Sequence, residues 1–176
     1  MDYPIEIPVK LDEKTFRRFA WYDTLILRKK WIRPVVFSAI LIVFAFVALI
    51  SRREQSGMIA AVLLAVGIGL PVVYVGSFLS QVNMQAMQHK LKPPRKVYTV
   101  RLEDQGIRVE NNQKKEEPLE LPWSGIAQAI RRKKCIYLYV TPVKAFLLPA
   151  GQANVPDNQV WEMMVKHLKA KQIRKG

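Results

Sequence analysis

The side chains with the clearest chemistry in this sequence are four consecutive basic residues, Arg131, Arg132, Lys133 and Lys134. They lie between two apolar segments, where a hairpin turn is expected. A dense group of guanidinium and ammonium ions attracts anions, and close to a bilayer each basic residue adds about 1 kcal/mol of attraction to anionic headgroups. The alternative is a solvated turn without a partner, and the sequence leaves both interpretations open.

Residue types that commonly act in catalysis or bind metals are few in this sequence, and their spacing does not match a known site. His89 and His167 are far apart, and the single cysteine, Cys135, begins an apolar segment, so neither a metal site nor a thiol nucleophile is indicated. Three glutamates in a polar stretch lack an apolar pocket that would raise their pKa values. We therefore predict that the protein is not an enzyme and binds no cofactor and no metal. The three glutamates are Glu116, Glu117 and Glu120.

Two long apolar segments occupy residues 31–50 and 57–79. About 20 apolar residues in a helix span the roughly 30 Å hydrocarbon core of a bilayer, and both segments reach that length. The rest of the chain is too short to bury two helices that are apolar on every face. The first segment also begins too far from the N-terminus, and is too long, for a signal peptide. We predict two transmembrane helices.

The distribution of basic residues predicts the orientation of these helices. The connecting loop, residues 51–56, contains only Arg52 and Arg53, whereas eight basic residues flank the pair at its other end. Basic residues in short flanking segments prefer the cytoplasm. We therefore expect an extracytoplasmic loop, and both termini in the cytoplasm. The eight residues are Arg28, Lys29, Lys30, Arg33, Lys90, Lys92, Arg95 and Lys96.

Small residues on the second apolar segment predict how it packs. Ala61, Ala65 and Gly69 recur every four residues, a spacing that lets another helix approach closely. The other helix is either the first segment or a helix of a second protein or a second copy. No Asp, Glu, Lys or His lies in either segment, which argues against an ion pathway. The matching positions expected on the first segment are Ser38, Ala45 and Ala48.

Residues 1–30 are predicted to form a strand and an amphipathic helix. Alternation over residues 3–9 is typical of a short strand, which needs a sheet and is expected to find it in the C-terminal region. Asp12 is expected to cap a helix from Glu13 to Lys30 that continues straight into the first apolar segment. This helix either lies on the inner leaflet or packs on the C-terminal domain.

The chain after the second apolar segment carries most of the net charge of +14, with 18 basic and 8 acidic side chains in residues 80–176. Residues 80–94 are predicted to extend the helix to a proline pair. From residue 95 the apolar period becomes two, which predicts an antiparallel domain over residues 95–176. Its last element is expected to be a helix, capped by Asn154 or Asp157 and ending near Lys171. The strands are expected at 96–102, 106–111, 119–123, 126–130, 135–140 and 145–149.

The motifs VRLEDQGIRV, LELPWSGI and IYLYVTPVKAFLLP follow the two apolar segments in that order. With this order the chain resembles the YcxB-like family of bacterial membrane proteins. The resemblance implies a cytoplasmic pleckstrin-homology-like (PH-like) domain on a two-helix anchor in the bacterial plasma membrane. It implies no established enzymatic activity and supplies no catalytic residues. The expected fold class is therefore a membrane α+β protein with Trp123 in the core of its sheet domain.

Three functions remain under consideration from the sequence. The first is a membrane-anchored interaction module whose basic domain binds a protein or anionic lipid headgroups. The second is an accessory subunit of a transport or export complex that docks through its helical hairpin. The third is nucleic-acid binding, which only the charge favours, because the tyrosines of residues 135–140 are expected to be buried.

Overall fold

The computed structural model describes residues 4–51, 54–88, 91–112 and 117–175. These residues form two units. The sheet unit comprises the chain up to Phe19 together with the chain after the second long helix, and the helical unit lies between them, beginning at Ala20. Of the residues named above, Arg52, Arg53, His89, Lys90 and Glu116 lie outside the described ranges.

The first sheet of the sheet unit contains four antiparallel strands in the order β1, β2, β3, β4. Their apolar side chains alternate, so that one face of β1 buries Ile5, Ile7 and Val9. The prediction that the N-terminal strand joins the C-terminal region is confirmed. The strands are β1 (Ile5–Leu11), β2 (Arg95–Glu103), β3 (Gly106–Asn111) and β4 (Leu119–Pro122).

Strand β1 pairs with β2 although the helical unit separates them in the chain. Leu11, the last residue of β1, lies opposite Arg95, the first residue of β2. The predicted division placed residues 1–30 and 95–176 in separate segments, whereas the sheet unit draws on both. A fragment consisting of residues 95–176 would therefore lack one edge strand of its sheet.

The outer edge of β1 is covered by the loop after β7. The backbone amide of Lys10 donates to Gln152 Oε1 at 2.7 Å, and Gln152 Nε2 donates to the carbonyl of Lys10 at 3.0 Å. Four residues earlier, Glu6 exchanges two hydrogen bonds of 3.0 Å with Asn154. These bonds satisfy the backbone groups that an edge strand would otherwise leave open.

The second sheet has the order β7, β6, β5, β8. The first three strands are antiparallel, whereas β8 runs parallel to β5, with Ile173 opposite Ala129. Helix α4 (Asp157–His167) buries Val160, Trp161 and Met164. The strands are β5 (Gln128–Arg132), β6 (Cys135–Tyr139), β7 (Ala145–Pro149) and β8 (Ile173–Lys175).

The prediction that the last helix continues to Lys171 is wrong. Helix α4 ends at His167, and Leu168 and Lys169 have extended backbone angles. A 3₁₀ turn (Ala170–Gln172) follows, and Gln172 Nε2 donates to the carbonyl of Ile126. The helix stops because the chain beyond it gains sheet hydrogen bonds along β5, which a helix could not provide.

The predicted helix caps are also wrong. Pro156 occupies the N-cap of α4, and no side chain caps the helix there. Asn154 is committed to Glu6 on β1, and Asp157 Oδ1 accepts from the amide of Gly151 at 2.8 Å. Both side chains therefore hold the loop before the helix rather than the helix itself.

The N-terminal helix is shorter than predicted. Asp12 caps it as expected, because Asp12 Oδ1 accepts from the amide of Thr15 at 2.9 Å. The α-helix α1 (Glu13–Trp21) changes to a π-helical segment (Tyr22–Leu27) and then breaks at Lys29, whose φ of 49° lies in the left-handed region. It therefore does not run straight into the next helix. The ring of Phe19 lies 5.2 Å from that of Tyr137, which supports packing on the sheet domain.

The helical unit contains α2 (Ile32–Ser51) and α3 (Ser56–Gln88), close to the predicted segments and their extension. Both helices are long and apolar enough to span a membrane, with mean hydropathy of 2.7 and 2.5 in their most apolar windows. Large apolar side chains point outward along both; Phe44 is 59% and Val72 67% exposed. Length and composition thus agree with the sequence prediction.

The two helices pack through residues other than those predicted on α3. Ala61 and Ala65 are exposed, and open space surrounds Gly69. The buried small residues of α3 are Ala60 and Gly67, whereas on α2 the predicted Ser38 and Ala45 are indeed buried and Ala48 is half-buried. Small residues do line the contact between the two helices, but they lie on a different line of α3 from the one predicted.

At Gly67, α2 packs so closely against α3 that an added side chain would press on it. A Cβ atom there would lie 3.2 Å from Ile42 Cγ1 and 3.4 Å from the carbonyl oxygen of Ser38. We predict that Gly67→Ile separates the helices and destabilises the hairpin by about 1–3 kcal/mol. The measurement is unfolding of the full-length protein in micelles by sodium dodecyl sulfate, followed by circular dichroism.

Gly69→Ile is the matched control, because it introduces the same side chain two residues away, where no atom lies within 4 Å. Equal destabilisation by both variants would contradict this packing and would indicate a general cost of replacing glycine in α3.

Candidate functional site

The predicted basic run forms the turn between β5 and β6. Arg132 pairs with Cys135 at the end of the ladder, which leaves Lys133 and Lys134 as the two residues of the turn. Both lysines are exposed, whereas Arg131 and Arg132 are half-buried. The structure therefore separates the four basic residues into two that face solvent and two that contact the sheet unit.

Arg131 attaches this turn to α4. Its guanidinium lies 5.7 Å from the centre of the Trp161 ring and donates to Asn158 Oδ1 at 2.5 Å. A cation over an indole face gains electrostatic attraction, and it gains more when partly desolvated. Arg131 therefore has an evident structural role, and the charges available to a partner lie beyond it.

Strand β8 brings further basic residues to the same turn. In its parallel pairing with β5, Arg174 lies opposite Ile130 and Lys175 opposite Arg131. Neighbouring strands are about 4.8 Å apart, so Arg174 and Lys175 lie beside the predicted turn although 40 residues separate them from it in the chain. We call Arg132, Lys133, Lys134, Arg174 and Lys175 the basic surface.

Sequence reasoning missed the contribution of β8. Only one apolar residue, Ile173, interrupts the polar sequence at the end of the chain, and a strand of three residues has too short a pattern to recognise. The sequence predicted a helix ending near Lys171 and no strand after it. The parallel pairing depends on a contact distant in sequence, which no local pattern reports.

The charges of the first sheet, by contrast, neutralise one another. Arg101 contacts Glu110 at 3.1 Å and Glu6 at 3.9 Å, and Arg108 contacts Glu110 and Glu120, each at 3.3 Å. These pairs cross all four strands of that sheet. Among the described residues, no acidic side chain forms an ion pair with Lys133, Lys134, Arg174 or Lys175. Exposed positive charge of the second sheet is therefore concentrated at Lys133, Lys134, Arg174 and Lys175.

A cleft of about 50 Å³ opens at the base of the turn. A small-molecule site usually encloses about 300 Å³ or more, so this cleft is too small for an organic substrate. Arg132, Lys133 and Ile7 line it, together with Asp157, whose carboxylate reduces its positive potential. The geometry offers an exposed charged surface rather than a pocket.

Cys135 lies in the wall of this cleft, but its thiol is unreactive. The thiol is buried, and burial raises its pKa to about 12. Since the thiolate is the reactive form, Cys135 is inert at neutral pH. Among the described residues, no group of three His, Cys, Asp or Glu side chains could hold a metal ion.

Trp123 is buried and belongs to a polar cluster at the end of α4. Its indole nitrogen donates to the carbonyl of Glu103 at 2.9 Å, and its ring stacks on His167 with centroids 4.9 Å apart. His167 Nε2 and Lys166 Nζ each lie 3.2 Å from Asp104 Oδ1. The cluster joins α4 to the β2–β3 turn, and Trp123 occupies the core as the sequence predicted.

The tyrosines of β6 give no stacking surface for nucleic-acid bases. Tyr137 and Tyr139 are 5% and 2% exposed, and the ring of Phe19 packs beside both. Single-strand binding usually combines basic residues with exposed aromatic rings. The burial of these rings agrees with the sequence expectation for residues 135–140.

One comparison with known proteins found a similarity. Residues 102–151 match the family model described as YcxB-like protein. This range contains almost all of the three motifs and the whole turn between β5 and β6. The resemblance is therefore confirmed over these residues. Neither the comparison with curated proteins nor that with solved structures found a match.

The cluster around Asp104 gives a prediction of pH dependence. Hydrogen bonding and charge from Lys166 lower the pKa of Asp104 below its usual value. A carboxylate with a lowered pKa stabilises the fold above its unfolded pKa of about 3.9, and the stabilisation is lost as the pH falls through the folded pKa. We predict that Asp104→Asn lowers the melting temperature of the full-length protein in neutral detergent at pH 7, and that the difference shrinks below about pH 4.

Glu162→Gln is the control, because no described residue forms an ion pair with Glu162. An undiminished effect of Asp104→Asn at low pH would show that lost packing or hydrogen bonding, rather than charge, causes the destabilisation.

Proposed function

We propose, from the YcxB-like match of residues 102–151 and the pairing of β1 with β2, that this protein is a membrane-anchored interaction module without enzymatic activity. The helical hairpin anchors it in the bacterial plasma membrane, and a PH-like sheet unit in the cytoplasm offers its basic surface to a protein or to anionic lipid headgroups. It needs no cofactor.

The observation that carries this proposal is the position of the helical unit between two paired strands. Leu11 and Arg95 are opposite one another, so the chain leaves the sheet unit and returns to it at adjacent points. One membrane crossing could not satisfy this pairing, whereas two crossings return the chain to the same side. The sequence supplies two segments of suitable length, and their exposed apolar side chains favour lipid as the surrounding medium.

The arrangement of the sheet unit supports the other parts of the proposal. Two four-stranded sheets, with helix α4 between β7 and β8, are compatible with the PH-like fold that the resemblance implies. The small cleft and the inert thiol supply no catalytic apparatus among the described residues. Excess basic residues next to the hairpin favour the cytoplasmic side for both termini.

Cysteine labelling tests the membrane arrangement. We expect Glu54→Cys, between the two helices, to react with an impermeant maleimide in intact cells. We expect Lys133→Cys to react only after the membrane is opened. The unsubstituted chain is the control, because the pKa of Cys135 keeps its thiol unreactive at neutral pH. Equal labelling of both positions in intact cells would refute the proposed orientation, and extraction of the chain by alkaline carbonate would refute the anchor.

A crosslinking pull-down of the full-length protein from native membranes tests the interaction role. We predict that reversing two charges of the basic surface, K133E/K134E, removes a partner protein or, if the partner is lipid, reduces recovered anionic lipid. The control is K144E, a charge reversal in the β6–β7 loop, at the other end of the sheet from the β5–β6 turn. Unchanged recovery of every protein and lipid would contradict the role of the basic surface.

The same experiment addresses the alternative, an accessory subunit that docks through its hairpin. The exposure of Ala61 and Ala65 favours it, because hairpin packing does not occupy this face of α3. A61L/A65L should then release a membrane protein that V62L/V66L, another pair of exposed positions on α3, retains. Retention of the same proteins by both variants would remove this alternative.

A further inference from the structure

We propose that residues 21–33 of the helical unit form a binding site for the anionic phospholipid headgroups of the membrane that the hairpin spans. The inference rests on the proposed function, because it needs the hairpin to lie in a bilayer. We call these residues the interfacial segment; none of them belongs to the basic surface. The segment has exposed apolar and exposed basic side chains at one end of the hairpin. They are Trp21, Ile26 and Trp31, and Lys29, Lys30 and Arg33.

Trp21 lies where the apolar span of α3 ends. It is the last residue of α1, and its ring lies 5.3 Å from that of Phe78 in an edge-to-face arrangement. The apolar segment of α3 ends one residue after Phe78, at Leu79, and the polar residues Ser80 and Gln81 follow. Tryptophan is enriched in membrane proteins at this boundary between hydrocarbon and headgroups.

Trp31 lies at the same level, at the start of the other helix. A Cβ atom at Gly67 of α3 would contact Ser38 and Ile42 of α2, so Gly67 is level with the middle of the stretch between them. The helices of a hairpin run antiparallel, so that about nine residues back along α2, to Trp31, correspond to about nine residues forward along α3. With a rise of about 1.5 Å per residue, Trp31 is therefore within about 3 Å of the level of Phe78.

The residues between the two tryptophans form the π-helical segment (Tyr22–Leu27), which has an exposed apolar face. Ile26 is 58% exposed, and Trp21, five residues earlier and thus on the same face of a π-helix, is also exposed. Trp31 Nε1 donates to the carbonyl of Leu25 at 3.0 Å, which holds the exposed Trp31 ring beside this segment. Three exposed apolar side chains are thus fixed at the end of the apolar span.

The basic side chains of the interfacial segment differ in their availability to a partner. Arg28 Nε contacts Asp23 Oδ2 at 2.8 Å, so that this pair is neutral within the segment. Lys29, Lys30 and Arg33 are exposed, and no acidic side chain in the described part of the chain forms an ion pair with them. Each basic residue near an anionic surface changes partitioning to that surface by about fivefold.

This combination of side chains favours lipid over a second protein. Protein interfaces are depleted of lysine at their centres, whereas here two lysines precede an exposed tryptophan. Elements that bind at a membrane surface combine apolar and aromatic side chains with lysine and arginine. On α2, the exposed apolar side chains of Val35 and Val36 follow Arg33 directly. The order along the chain is therefore headgroup-binding residues and then hydrocarbon-facing residues.

The same division applies to the N-terminal helix, which the sequence placed either on the inner leaflet or on the C-terminal domain. The chain up to Phe19 belongs to the sheet unit, and the chain from Ala20 belongs to the helical unit. Phe19 packs beside Tyr137 of the sheet unit, whereas Trp21 packs on α3. The two alternatives therefore hold for successive parts of one segment.

The test measures energy transfer from tryptophan to labelled lipid in nanodiscs that contain the full-length protein. The nanodiscs consist of phosphatidylcholine with a trace of either pyrene-labelled phosphatidylglycerol or pyrene-labelled phosphatidylcholine. We expect more transfer to the labelled phosphatidylglycerol, because anionic lipid collects beside Trp21 and Trp31. Salt at about 1 M, where the Debye length is about 3 Å, should remove the difference. W21F/W31F should reduce it, because the other tryptophans, Trp123 and Trp161, are buried in the sheet unit.

Removal of charge tests the interfacial segment itself. K29Q/K30Q removes two charges and keeps side chains of similar length, so we expect it to remove most of the difference between the two lipids. R33Q alone should reduce the difference. The control is K169Q/K171Q, which makes the same change of charge at two exposed lysines of the sheet unit and should preserve the difference.

Equal transfer to the two labelled lipids, or a difference that K29Q/K30Q and R33Q leave unchanged, would overturn the inference. An equal loss in K169Q/K171Q would also overturn it, because the preference would then follow the net charge of the chain. If the cysteine labelling shows that the chain inserts but no lipid preference is found, this inference fails and the proposed function stands. If the chain does not insert, the proposed function fails and this inference fails with it.

Discussion

The antiparallel pairing of β1 with β2 is the constraint on which the other features of this structure depend. It adds to the first sheet an edge strand that precedes the whole helical unit in the chain. It also places Leu11 and Arg95 opposite one another. Any arrangement of the two long helices must return the chain to this point. The pairing is reinforced on its outer side by Gln152 and Asn154, whose amides complete the hydrogen bonds of β1.

Ionic contacts are distributed differently in the two sheets. Across the first sheet, register places Glu6, Arg101, Arg108 and Glu120 on neighbouring strands, where opposite charges meet directly. The second sheet has no comparable acidic ladder among its described residues. Among its positive charges, Arg131 packs over the ring of Trp161, whereas Lys133 and Lys134 face solvent. The excess positive charge of the sheet unit is therefore found mainly on the second sheet.

Much of the secondary structure could be predicted, for identifiable physical reasons. The two long helices follow from uninterrupted apolar composition, and each strand with a period of two was placed within about two residues. The errors occurred where a distant contact outweighs a local preference. Asn154 has a good capping side chain, yet it binds Glu6, and the last helix ends early because Ile173 pairs with Ala129.

The candidate sites show the same division. The turn formed by residues 131–134 was evident because four adjacent charges between apolar strands have few structural alternatives. The packing line of α3 was misplaced, because small residues recur on more than one face of that helix and only the position of α2 shows that Gly67 is confined.

By itself the sequence determined the two apolar spans, the excess of positive charge, the strand periodicity and the turn at residues 131–134. These depend on neighbours in the chain, which composition and spacing report. Tertiary structure alone decided that β1 pairs with β2, that β8 joins Arg174 and Lys175 to the turn, and that Gly67 meets α2. Each of these depends on backbone or packing contacts between residues far apart in the chain, and local periodicity carries no information about such partners.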